Sequence, residues 1–114
     1  MGQRSEIRVL DLADPLLAAQ CARDLAARPH GVDGLINNAA TWQTGSLDEH
    51  DDAEIAAVIN AHVTGTLLVT KALAPALIAA PAGDIVNIVS TSGLPNVPLD
   101  GTSVAFHVGK HGQA

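Results

Sequence analysis

The 114-residue sequence predicts an α/β fold: a parallel sheet, incomplete, of about three strands with flanking helices. Three observations predict it. The runs "IRVLDL" (7–12), "VDGLINN" (32–38) and "DIVNIVS" (84–90) have the length and aliphatic, β-branched make-up of buried strands. The stretches between them are longer and carry helical periodicity. Strand–helix–strand alternation then gives parallel pairing through right-handed crossovers, because a crossover helix returns the chain to the same end of the sheet.

The first strand, 7–12, runs straight into "DPLLAAQCARDLAA". Asp14 stands as N-cap and Pro15 at the first helical position, where a missing N–H costs nothing. Leu17, Cys21 and Leu25 recur every fourth residue and predict the packed face of that helix. Pro29 and Gly31 end it, and the second strand follows. "SLDE" (46–49) has capping-box spacing, while Asp51 and Asp52 are alternative caps for the next helix. Ile55, Ile59, Val63 and Leu67 step by four along that helix, which runs to about residue 79 with a bend expected at Pro75. The third strand comes next, then a loop over 91–102 and a last helix starting near Ser103.

The totals set the function classes. With 47% apolar residues and only Trp42 and Phe106 aromatic, the core has to be aliphatic and of modest size. A net charge of −6 without a basic run argues against a nucleic-acid partner. Cys21 is the single cysteine, which excludes an internal disulfide and suits a reducing cytoplasm. The N-terminus shows no apolar signal core, and Glu6 stands where the myristoylation pattern wants Ser or Thr. Residues 63–80 are the most apolar segment, but Thr64, Thr66, Thr70, Lys71 and Pro75 interrupt them. They read as a buried or interface helix and not as a membrane span. A soluble, cytoplasmic chain is expected.

Ligands of open parallel sheets bind at the C-terminal strand ends. Asp11, the pair Asn37–Asn38, and Ser90 each close a predicted strand there. Such residues end strands in many proteins because they make turns. All three strands ending this way, with a lysine helix after them, favours a site. In that helix Phe106 and Lys110 share one face, four residues apart.

These stretches resemble the short-chain dehydrogenase/reductase family. "LINNAA" (35–40) is similar to its Asn-Asn-Ala-Gly motif, with Ala40 in the glycine place. "VTGTLLVTKALAPAL" resembles its long central helix, "GDIVNIVSTSG" its serine strand, "FHVGKHG" its Tyr-x-x-x-Lys helix, and "VLDLAD" the strand end beside the adenine. The resemblance runs through almost the whole chain in the family's order. It implies a Rossmann-like fold, NAD or NADP as cofactor, and hydride transfer on a small alcohol or carbonyl substrate. Carried over, Lys110 is the ribose-holding and tuning lysine, and Ser90 is the substrate-orienting serine, three before Gly93. Asp11, Leu12, Asn38 and Ala39 would line the adenine and ribose side. The family's dimers imply a homo-oligomer through helices 52–79 and 103–114.

Two positions depart from the family. Phe106 occupies the tyrosine place, and the sequence contains no tyrosine, so no shift of alignment supplies one. A phenyl ring has no proton to give, and general acid–base catalysis typically contributes about 10²–10⁴-fold. The family's helix asparagine lies three before a glycine, and three before Gly65 is His62. Residues 60 and 62 lie about 200° apart on a helix, so His62 is preferred over Asn60. It would hold a water there, or be a helix histidine hydrogen-bonded locally.

The glycine-rich phosphate loop is absent, since no two glycines are two residues apart. The chain therefore reads as a partial domain, 1–114, lacking the N-terminal glycine-rich βαβ unit and the C-terminal substrate region. With the family's two intervening strands missing, 7–12 is expected to pair directly with 33–37, because a strand left alone exposes its backbone groups. The leading expectation is a fragment of an NAD(P)-dependent oxidoreductase, inactive by itself, that binds nicotinamide dinucleotides weakly or not at all. The alternative is a non-catalytic remnant acting through its helices. A zinc site at His107 and His111 is disfavoured, because Val108 stands where such proteases need Glu.

Overall fold

The computed structural model describes residues 4–98 and 101–114. Helix α1 (Pro15–Ala26) leads to strand β1 (Gly34–Asn37). Helix α2 (Asp52–Ile59) passes through a π turn, Asn60–Thr64, into α3 (Gly65–Ala79). Strand β2 (Asp84–Asn87) and helix α4 (Val104–Gln113) follow. The predicted loop 91–102 contains a short 3-10 turn, Thr91–Gly93, and its residues 99–100 lie outside the described ones, as does the N-terminal pattern at Gly2.

The two strands pair in parallel, Gly34 with Asp84 through Asn37 with Asn87. The expected third strand does not form. Residues 7–12 make no ladder, and Ile7 and Val9 stand 93% and 100% exposed. The pairing predicted between 7–12 and 33–37 is thus overturned, and β1 takes β2 as its neighbour instead. A strand gains its hydrogen bonds only from an adjacent edge, and here an apolar cavity separates the segment from β1. What holds the segment is charge: Glu6 accepts from Arg8 Nε at 2.7 Å and from Arg28 Nη2 at 2.9 Å.

Two packing stripes also differ from expectation. On α1 the buried residues are Ala18, Ala19 and Ala22, while Leu17 is exposed and Cys21 only half-buried. Small side chains let α1 approach α3 closely, where Val69, Leu73 and Leu77 complete the core. On the long helix the stripe Ile55–Ile59–Val63–Leu67 is not the core face, and Leu67 is 62% exposed. The core face instead runs through Val58, Ala61 and His62 to Val69, Leu73 and Leu77, with Val58 and His62 one residue out of step with the predicted Ile59 and Val63. Pro75 is accommodated inside α3.

Residues 52–79 are long and apolar enough to cross a membrane by length and composition. Val69, Leu73 and Leu77 of this stretch pack against Ala18 and Ala22 of α1 in the core. The opposite face of the sheet stays open, with Ile36 and its register partner Val86 exposed.

Candidate active site

The site is built at the start of α4. Ser103 caps that helix, its Oγ accepting from Phe106 N–H at 3.1 Å. The same hydroxyl donates to Gln43 Oε1 at 2.5 Å, and Ser103 N–H donates to the Gln43 carbonyl at 2.9 Å. An antiparallel bridge between Thr44 and Thr102 ties the two loops together. The loop after β1 thereby fixes the direction in which α4 leaves.

Phe106 points inward and is 3% exposed. Its ring meets Trp42 at 5.0 Å and His62 at 5.3 Å, both edge-to-face. This is the arrangement favoured by opposite charge at ring face and edge. Lys110 Nζ lies 5.9 Å from the Phe106 centroid, at the outer limit of a cation–π contact. The ammonium donates to Gln113 Oε1 at 2.9 Å and to the Ile88 carbonyl at 3.4 Å. Burial pushes the Lys110 pKa down.

His62 is fully buried within the π turn. Its Nε2 lies 2.9 Å from Thr41 N and 3.0 Å from Thr41 O, so its tautomer decides whether it accepts or donates there. Burial holds it below the ordinary histidine value, the Thr41 carbonyl opposes this, and the Lys110 charge adds to it. Gly109 makes room for the ring, since a Cβ there would stand 2.4 Å from His62 Nδ1.

Ser90 lies just past β2, and its Oγ accepts from Ser92 N–H at 3.2 Å, capping the turn Thr91–Gly93. Gly93 packs under the lysine helix, where a Cβ would fall 2.6 Å from Lys110 O. The Ser-x-x-Gly spacing therefore has a physical reason: the glycine seats the serine's turn against the lysine's backbone. His62 and Lys110 both lie beside the Phe106 ring, and the Ser90 turn reaches α4 through Gly93 at Lys110 O.

The predicted cofactor side is split. Leu12, Asn38 and Ala39 line one cavity of about 360 Å³ between the N-terminal segment and β1. Asp11 does not line it. Its carboxylate accepts from Ala13 N–H at 2.9 Å, forming the turn that starts α1. Neither α1 nor α2 offers a pyrophosphate an open helix start. A pyrophosphate needs free backbone N–H groups at a helix N-terminus. Here α1 opens with the carboxylate of Asp14 on Leu17 N–H and with Pro15, which has no N–H. Helix α2 opens with Asp51, Asp52 and Glu54. Both ends repel phosphate.

Metal ligation fares no better. Among the described residues no group of three His, Cys, Asp or Glu could hold an ion. His111 Nδ1 donates to the His107 carbonyl at 2.8 Å, a bond within the helix.

Sequence reasoning missed three contributors, Trp42, Gln43 and Gln113, and gave Asn37 no separate role. Asn37 rather than Asn38 is the structural member of its pair, donating to Asn87 Oδ1 at 2.8 Å and Thr70 Oγ1 at 3.2 Å. Gln113 was legible as the i+3 neighbour of Lys110 on one helix face. Trp42 and Gln43 carry no local signal, because only the folded loop brings them to α4.

A model described as "short chain dehydrogenase" matches residues 2–105. The chain belongs to the short-chain dehydrogenase family. Among curated members, 3-ketodihydrosphingosine reductase of Bacteroides thetaiotaomicron is 28% identical over 93 residues, covering 82% of this chain and 35% of that protein. Oxidoreductase UcpA of Escherichia coli K12 is 32% identical over 92 residues, 81% of this chain and 35% of its own. A metagenomic short-chain oxidoreductase solved in complex with NADP superposes with a TM-score of 0.82 at 34% identity, covering 98% of this chain and 49% of that one. A short-chain dehydrogenase from Streptomyces avermitilis gives 0.77 at 32% identity, over 91% and 37%. The chain thus spans between a third and a half of the length of these short-chain dehydrogenases. The family match ends one residue before Phe106.

Proposed function

We propose that this chain is the central part of an NAD(P)-dependent short-chain oxidoreductase, and that by itself it transfers no hydride. The observation that carries the reading is the Phe106 ring, buried between Trp42 and His62 with Lys110 one turn on. A tyrosine there would supply the proton for a substrate alcohol or carbonyl, and phenylalanine has none. NADP in the similar metagenomic oxidoreductase supports a nicotinamide cofactor for the complete protein. The acid-capped helix starts support weak binding or none by this chain. Its single half-buried cysteine suits a reducing cytoplasm, and nothing in its surface charge favours nucleic acid.

Calorimetry with NAD and NADP tests the binding half, and micromolar affinity would overturn it. For the chemistry, Phe106→Tyr in this chain alone should restore no carbonyl reduction. In a protein that also carries the glycine loop and the substrate-side segment, the same change should raise the rate by about 10²–10⁴-fold. Equal rates for Phe and Tyr there would mean that another group, such as His62 through water, delivers the proton.

A second reading, association through helices 52–79 and 103–114, is favoured by their exposed apolar residues. Leu67 and Ile78 on α3, and Val104 and Val108 one turn apart on α4, all face water. Sedimentation of the chain and of Val108→Lys separates the two: a dimer lost on substitution supports association, a monomer in both excludes it.

A further inference from the structure

We propose that Gln113 is a positioning residue for Lys110: its side-chain oxygen holds the buried ammonium in its charged form and in place. The inference rests on reading Lys110 as the site lysine, but its geometry and its test do not involve nicotinamide. Lys110 is 5% exposed. Among the described residues no carboxylate lies within ion-pair distance of it. A buried cation without a counter-charge has to be held by hydrogen-bond acceptors, since water no longer solvates it.

Two acceptors are present, and they are unequal. The Ile88 carbonyl sits at 3.4 Å, near the end of hydrogen-bonding range, whereas Gln113 Oε1 sits at 2.9 Å. The Phe106 face, at 5.9 Å, adds little. Gln113 is itself buried, 8% exposed, and an amide in that setting is costly unless bonded. Its partner is the lysine. Positions 110 and 113 lie on one face of α4, so the helix presents both groups together.

The other titratable groups around Lys110 do not take over this role. His62, from the π turn, carries no negative charge and would repel the ammonium if protonated. On α4 itself, His111 bonds the His107 carbonyl, and His107 is likewise a histidine with no negative charge to offer. Among the described residues, the β2 side offers the ammonium the Ile88 carbonyl. Gln113 also lines a cavity of about 340 Å³ with His62, Thr66, Thr70 and Asn87. Two of the three ammonium N–H groups are thereby engaged, leaving one for a ligand hydroxyl.

The test is an NMR titration of the Lys110 side chain in the 114-residue protein and two variants. Gln113→Leu keeps the volume, so water stays out, and removes the acceptor. Lys110 should then titrate about one to two pH units lower than in the unchanged protein, the shift expected for losing a hydrogen bond to a charged group. Gln113→Glu restores an acceptor with a full charge, and Lys110 should titrate above the unchanged protein. A purely structural glutamine would change melting temperature in either variant without moving Lys110 in opposite directions. The same Lys110 titration in all three proteins would overturn the proposal. Should Gln113→Leu fail to fold, the Glu variant alone decides, since an unmoved or lowered Lys110 there contradicts it.

Discussion

At the scale of single residues, an aromatic ring sets the packing at the start of α4. Phe106 preserves the ring volume that Trp42 and His62 pack against. The loss of that ring should therefore be read in stability. Phe106→Ala is expected to cost about 3–5 kcal/mol, measured by denaturant unfolding, through lost burial and the cavity left behind. His62 gives a pH signature. Its folded pKa lies below the ordinary 6.5, so in acid the unfolded chain takes up the proton first. Stability is then fully present above 6.5 and falls as pH drops from there toward the lowered folded value. Unfolding free energies at about pH 7.5 and about pH 5.5 should show that loss, and His62→Gln should flatten it.

At the scale of elements, two features decide where the site forms. The first is the π turn, in which His62 is fully buried. The second is the close seating of α4 on that turn through Gly109. Gly109→Ala should push the helices apart and cost about 1–3 kcal/mol, the range for overpacking a filled contact. Its melting curve checks this, and the His62 ring signals should shift with it. Capping matters at the other end of the fold. Asp14 holds Leu17 N–H, and Asp14→Ala should lower stability by about 1 kcal/mol.

At the scale of the whole molecule, the parts are unequally secured. The core of α1 and α3 carries the sheet, while residues 7–10 have no ladder. Glu6 between Arg28 and Arg8 is drawn down to about 2, so this tether stays charged at neutral pH, yet it is exposed. Exposed pairs are weak and screened by salt. Hydrogen exchange should therefore show residues 7–10 unprotected and the β1–β2 amides protected. Slow exchange at Val9 would contradict this description. A two-stranded sheet with an open face also gives this chain less buried surface than a full domain has.

Much of this was written in the sequence, for a local reason. Asp14, Asp51 and Ser103 start their helices through bonds to the residue three positions on, so proximity along the chain determines them. The spacing of Phe106 to Lys110 and of Ser90 to Gly93 is equally local; the structure sets Phe106 beside His62 and Gly93 against the Lys110 backbone. What only the tertiary structure decided depends on partners distant in sequence. "IRVLDL" has strand composition, but a strand exists only beside another edge, and none is within reach. The alanine face of α1 prevailed over the leucine stripe because α3 had to come close. Trp42, Gln43 and Asn37 acquired their roles across gaps of 50 residues or more, as in the Asn37–Asn87 and Ser103–Gln43 bonds, which no periodicity records.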